Sequence, residues 1–169
     1  NLALFQNMKH KIITKFFFPS SIAVYNTEGT NKVINENSYC NPKTIYGQHK
    51  LFCENTGTAF DLYGNEQNLR IDFRCIRFPG IISTNTMPTG GTSDYAPQMI
   101  HNAFNKKDYT CFVNKHTCLP FIVMPDAINS IFQLMGKNKK SLHKTVYNIT
   151  SFSPTVLNLF NIIKTKYPD

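Results

Sequence analysis

The 169-residue sequence predicts an α/β fold built on a mainly parallel sheet. Two observations carry that expectation. Short apolar runs rich in Phe, Ile and Val alternate along the chain with stretches whose apolar residues recur at helical spacing. Turn residues mark the boundaries, as at Pro19-Ser20 and Pro79-Gly80. With 41% hydrophobic residues and 14 Phe, the chain can bury a sizeable single core.

Taken in order, "KFFFPS" (15–20) reads as a buried strand that stops at Pro-Ser. The next segment, around "TIYGQHKLFCENTGTAF", places Ile45, Leu51, Phe52, Ala59 and Phe60 at helical spacing, with Gly57 weakening its second half. "LRIDFRCIRF" (69–78) is a second strand closed by Pro79-Gly80, and "PTGGTSDY" (88–95) is a flexible loop. Ala96, Met99, Ile100, Ala103 and Phe104 then recur with the period of a helix. "TCFVN" and "LPFIVM" are short strand candidates. "PDAINSIFQLM" is a helix with Ile128, Ile131, Phe132 and Met135 on one face, and "TVYNIT" is a further strand. "SPTVLNLFNIIK" closes the series as a helix, with Ser153 as N-cap and Val156, Leu159, Phe160 and Ile163 aligned.

Composition excludes several roles. No apolar run approaches a membrane span, so no membrane partner is expected. The net charge of +8 concentrates in "GKNKKSLHK" (136–144), which reads as a solvated loop after a helix and not as a nucleic-acid site. The five cysteines are scattered without a CxxC pair, which predicts reduced thiols and no metal site. The chain opens on Asn1 and not Met, so the natural N-terminus, with any targeting signal, is expected upstream.

In a parallel α/β sheet, ligands gather beyond the carboxyl ends of the strands. That rim would hold "PSSIAVY", "RFPGIIS" and the helix start "IYGQHK". A phenol with a pKa near 10 is a poor base at neutral pH. A cation one helical turn away favours the phenolate, and Lys50 follows Tyr46 by four positions. A hydroxyl from Ser20 or Ser21 could hold the oxygen of a substrate in line. Spacing alone also allows an ordinary half-buried Tyr beside a solvated Lys.

Ser21, Tyr46 and Lys50 resemble the Ser–Tyr–Lys triad of the extended short-chain dehydrogenase/reductases. "FFPSSIAVY", "PKTIYGQHK", "DFRCIRFPGIIS", "PTGGTSDYA", "LPFIVMPDAI" and "YNITSFS" follow, in order, the motifs of the short-chain-type L-threonine 3-dehydrogenases, over nearly all of residues 15–169. The resemblance implies a Rossmann-like sheet, NAD as cofactor and L-threonine as small-molecule substrate. It implies a homodimer at full length, and a mitochondrial location in a eukaryote or a cytoplasmic one otherwise. Tyr46 would take the proton, Lys50 would lower the phenol's pKa and hold the nicotinamide ribose, and Ser21 would bind the reacting hydroxyl. Ser20, Pro79 and Ile81 would line the cofactor pocket. Thr89, Gly90, Gly91 and Thr92 would close on the amino acid, and no metal is implied.

The sequence departs from that pattern in places. His49 and Asn26 replace small residues, and the segment containing "GNEQN" is longer than usual. No glycine-rich fingerprint or ribose-binding acid precedes the triad. By resemblance the chain is therefore a fragment: residues 1–83 are the C-terminal half of a nucleotide-binding domain whose first βαβ units are missing. Residues 84–169 are a small α/β substrate-binding part with interleaved sheet elements, short of its extreme C-terminus. Such a fragment is expected to be inactive alone. The rival readings are a nucleotide-sugar epimerase or dehydratase, and a non-catalytic truncated relative.

Overall fold

The computed structural model describes residues 14–26, 33–64, 71–83 and 90–168. In chain order the elements are β1 (Thr14–Ser21), a 3-10 turn (Ile22–Val24), α1 (Ile45–Tyr63), β2 (Ile71–Phe78), β3 (Gly80–Ile82), α2 (Tyr95–Phe104), β4 (Phe121–Val123), α3 (Met124–Gly136), a second 3-10 turn (Lys139–Ser141), β5 (Val146–Asn148) and α4 (Val156–Lys166). The class is α/β as expected, and every pairing between these strands is parallel. The described residues form two compact units. One holds the residues up to Phe78 with Asn129–Ile149; the other holds Pro79–Ile128 and the residues from Thr150.

In the first unit the strands lie in the order β1-β2-β5. β1 pairs with β2 from Thr14↔Ile71 to Ser21↔Phe78, so both strands end at the same rim. β2 is buried along its whole length. Its alternation sends Phe73, Cys75 and Arg77 to one face and Asp72, Arg74 and Ile76 to the other. α1 covers the first face. There Gly57 does not weaken the helix but seats it: a Cβ at this position would meet the Phe73 ring at 2.2 Å. The inward positions of α1 are Gly47, Glu54 and Gly57, whereas Ile45 and Phe52 are 77% and 69% exposed. β1 also continues past its predicted stop, through Pro19 to Ser21. Pro19 is exposed, on a strand that lies at the edge of the three described ones, where a missing N–H is tolerated.

The second unit pairs β3 with β4 and packs α2 against α4 around Tyr95, Ala96, Met99, Phe121, Val156, Leu159 and Ile163. "TCFVN" forms no strand. The backbone turns at Asn114, whose carbonyl accepts from Thr117 N and whose side chain accepts from His116 N. α4 starts later than predicted, with Thr155 and not Ser153 as N-cap; its Oγ1 accepts from Asn158 N at 3.1 Å. Phe160 and Phe104 point away from this core, and on α3 Ile128 and Phe132 are exposed while Ala127 is buried.

Candidate active site

The site is built at the rim of the first unit by two caps and one glycine. Ser21 ends β1 and caps the following 3-10 turn, its Oγ accepting from Ala23 N at 3.2 Å and leaving its own proton to donate. Thr44 caps α1 through Gly47 N at 3.0 Å, which fixes the helix start one residue before Tyr46. Gly47 then abuts the turn after Ser21. A Cβ here would stand 2.2 Å from the Ala23 carbonyl oxygen and 2.8 Å from Pro42 Cβ. Only glycine allows this approach, and it brings the backbone beside Tyr46 against the segment that carries Ser21.

Lys50 Nζ donates to Pro19 O at 2.6 Å and lies 5.0 Å from the Phe18 ring centroid and 5.4 Å from that of Tyr46. One N–H is thereby used, and two remain for other acceptors. Tyr46 is 56% exposed, and its hydroxyl has no hydrogen-bond partner among the described residues. Ser21, Tyr46 and Lys50 thus share the end of β1, with the phenol open to solvent. His49, between the pair, is exposed.

Ser20 differs from its neighbour. It is buried, and its hydroxyl donates to Glu54 Oε1. Glu54, itself buried on α1, receives Arg77 Nη2 at 2.6 Å and Nε at 3.0 and 3.1 Å. Arg77 Nη1 donates to the Tyr25 hydroxyl, which lies 3.0 Å from both Asn148 Oδ1 and Asn35 O. Burial alone would lower the Arg77 pKa; the hydrogen bonds and charge of Glu54 outweigh it and hold the group raised. Burial raises the Tyr25 phenol, which stays neutral and has one proton to donate to either Asn148 Oδ1 or Asn35 O. Sequence reasoning missed Glu54, Arg77 and Tyr25 as well as Gly47. Two arginines with only one acid, Asp72, in a strand that is apolar elsewhere were the available signal, because buried cations require anionic partners.

The remaining expected residues belong to the second unit. Pro79 is buried and Ile81 is 37% exposed on β3. Gly90, Gly91 and Thr92 are exposed, and Thr89 lies outside the described residues, as do residues 65–68 of the "GNEQN" segment. Gly90 has φ +112, a conformation open to glycine. The amides of Gly90 and Gly91 each donate to Asp94 Oδ2 at 2.7 Å, so this part of the loop is tied down. Asp126 accepts from Ser151 Oγ in the first turn of α3. Among the described residues no cluster of three or more His, Cys, Asp or Glu is placed to hold a metal, and no helix is long and apolar enough to cross a membrane.

Residues 1–150 match the NAD dependent epimerase/dehydratase family. The chain belongs to this family. Within it, the chain is 33% identical over 142 residues to the mitochondrial L-threonine 3-dehydrogenase of Bos taurus, covering 83% of this chain and 36% of that protein. It is 34% identical to an uncharacterized epimerase/dehydratase of Staphylococcus haemolyticus, covering 82% of this chain and 42% of that one. Among solved structures, the L-threonine 3-dehydrogenase of Trypanosoma brucei superposes with a TM-score of 0.87 at 35% identity, over 99% of this chain and 50% of that one. The holo form of the GalE-like L-threonine dehydrogenase of Cupriavidus necator gives 0.87 at 30% identity, over 99% and 53%. The chain spans about half the length, or less, of the curated relatives it matches.

Proposed function

We propose that the protein carrying this chain oxidises the 3-hydroxyl of L-threonine to give 2-amino-3-ketobutyrate, with NAD as hydride acceptor. The observation that carries the reading is the Tyr46–Lys50 pair on the first turns of α1, tethered to the end of β1 by the Lys50–Pro19 hydrogen bond. Its relatives named as L-threonine dehydrogenases support the choice of substrate.

The donor set suits a nicotinamide ribose: an ammonium with two N–H groups left over, beside a half-exposed phenol. Bound NAD supplies the acceptor for the hydride that leaves C3. Tyr46 takes the proton of the 3-hydroxyl, Lys50 favours the phenolate and holds the ribose, and Ser21 donates to the reacting oxygen. Ser20 lends the pocket its backbone while its hydroxyl turns inward. Pro79 and Ile81 line the nicotinamide side. Thr89, Gly90, Gly91 and Thr92 receive the amino acid. In this reading residues 1–83 serve the cofactor and residues 84–169 the substrate. The location is mitochondrial in a eukaryote and cytoplasmic otherwise.

The protein works as a homodimer. Ile45, Phe52, Ala59 and Tyr63 are exposed and fall on one face of α1 at 3.6 residues per turn, opposite the buried Glu54. A second copy of the chain is the partner such a stripe fits.

The test supplies L-threonine and NAD to the protein as its organism makes it and follows NADH absorbance. Tyr46→Phe should lower turnover at least ~100-fold, the scale of a general base, with NAD affinity within a few-fold. Conversion of a UDP-sugar with no response to threonine would establish the epimerase reading instead.

A further inference from the structure

We infer that Glu54 and Arg77 are a positioning pair that holds Ser21 in place by gripping the chain on both sides of it. The role rests on the dehydrogenase reading above for its catalytic consequence, though not for its geometry. The segment from Ser20 to Tyr25 contains Ser21, the 3-10 turn it caps, and the backbone that Gly47 touches. At its start, the Ser20 hydroxyl is bound to Glu54. At its end, the Tyr25 hydroxyl is bound to Arg77, whose guanidinium carbon also lies 4.8 Å from the Tyr25 ring centroid. Glu54 and Arg77 are joined to each other by a forked ion pair. One buried pair therefore fixes both ends of six residues.

The pair does more than close a gap between helix and strand. Glu54 lies one helical turn beyond Lys50 on the same side of α1, and these two residues bind adjacent positions of β1: Lys50 at Pro19 O, Glu54 at Ser20 Oγ. The helix that carries the proposed base is thus stitched to the strand that carries the proposed hydroxyl donor at two successive points. Tyr25 extends the grip to β5 through Asn148, whose backbone N–H in turn donates to Glu36 Oε1 at 3.0 Å. Glu54 and Arg77 are 2% and 6% exposed, so neither is free to touch substrate; they act through Ser21. An apolar filler of the same volume would pack the space but could not aim the two hydroxyls.

The test has two arms, both in the protein as its organism makes it. The first measures amide hydrogen exchange in Arg77→Lys, which keeps the charge but loses the fork. The Ala23 and Tyr25 amides, bonded to Ser21 Oγ and Ile22 O, should exchange at least ~10-fold faster while those of Phe73 and Cys75 do not change. The second is a double-mutant cycle on turnover of threonine. Arg77→Lys alone should lower kcat by about 10- to 100-fold with KM within a few-fold, the cost of misplacing a reacting group. In a Ser21→Ala background the same change should cost little more. Full loss in both backgrounds, or unchanged exchange at Ala23 and Tyr25, overturns the inference. Where Arg77→Lys does not fold, Tyr25→Phe leaves the ion pair intact, cuts only the second grip, and decides by the same two readouts. A wild-type protein inert towards threonine sinks the dehydrogenase reading, and the exchange arm still decides the positioning.

Discussion

Arg74 and Arg77 stand three residues apart on β2, both buried, both paired with a carboxylate, and on opposite faces of the sheet. Arg74 is held by Asp72 on its own strand, at 3.0 and 2.6 Å, and spends its remaining nitrogen on the carbonyls of Leu134, Met135 and Lys137. Those carbonyls lie at and just past the end of α3, where helical partners run out; Lys137 N and Lys15 Nζ share two of them. Lys139 reinforces the arrangement by bridging Asp72 and Asp61, so one member of the basic run is a paired, half-exposed lysine and not a free one. Arg77 instead reaches side chains of α1 and of the segment after β1, beside Ser21. A buried guanidinium does not declare its own role. What it grips decides whether it serves the scaffold or the site.

The largest effect expected on the scaffold side is that of Arg74→Ala. It leaves Asp72 with Lys139 alone and takes from the Lys137 carbonyl the donor that Arg74 supplies, and chemical denaturation should show a loss of about 3–5 kcal/mol. Turnover per folded molecule should hold. A fall in kcat matching that of Arg77→Lys would erase the distinction between the two faces. On the Arg77 face, Gly57→Ala forces a Cβ into the Phe73 ring and should cost about 1–3 kcal/mol, more than the helix propensity of alanine returns. A stabilised variant would show that the ring can move aside.

A third buried polar group supplies a control. The Tyr95 hydroxyl has no partner among the described residues, and burial pushes its pKa up to about 12. Tyr95→Phe should therefore leave stability unchanged or raise it by about 1 kcal/mol, unlike removal of either arginine. The smallest effect is acidic. Burial would raise the Asp72 carboxyl, but Arg74 and Lys139 hold it below its ordinary value. Its contribution is therefore present above about pH 4 and is lost as pH falls through the depressed folded value. Urea midpoints should drop across that acidic window in the wild type, and less steeply in Asp72→Asn.

Much of the fold was legible because strand and helix periods alternate cleanly from Phe16 to Ile163. Tyr46, Lys50 and Ser21 could be proposed from sequence because their spacing and neighbouring motifs are local in the chain. The inward face of α1 was not legible. A helix seated by Gly47, Glu54 and Gly57 shows Ile45 and Phe52 to the outside, so helical spacing of apolar residues does not tell which face is buried. The partnership of Glu54 with Arg77 and Tyr25 joins positions far apart in the chain, and only the parallel pairing of β1 and β2 brings them level. Local turns were the other blind spot, since Asn114 and Thr155 override the apolar runs beside them.

The close approach at Gly47 ties the proposed catalytic pair to the first turn of a helix. The first turn of α1 is secured by the Thr44 cap, the Gln48 side chain on Pro42 O and contact with Ala23. Helix ends open by sub-global fluctuations that require far less free energy than whole-domain unfolding. When this turn frays, Tyr46 moves away from Lys50 and the end of β1 while the sheet beneath stays intact. Heat or mild urea should therefore switch the protein off reversibly, several degrees or tenths of a molar before circular dichroism reports any melting.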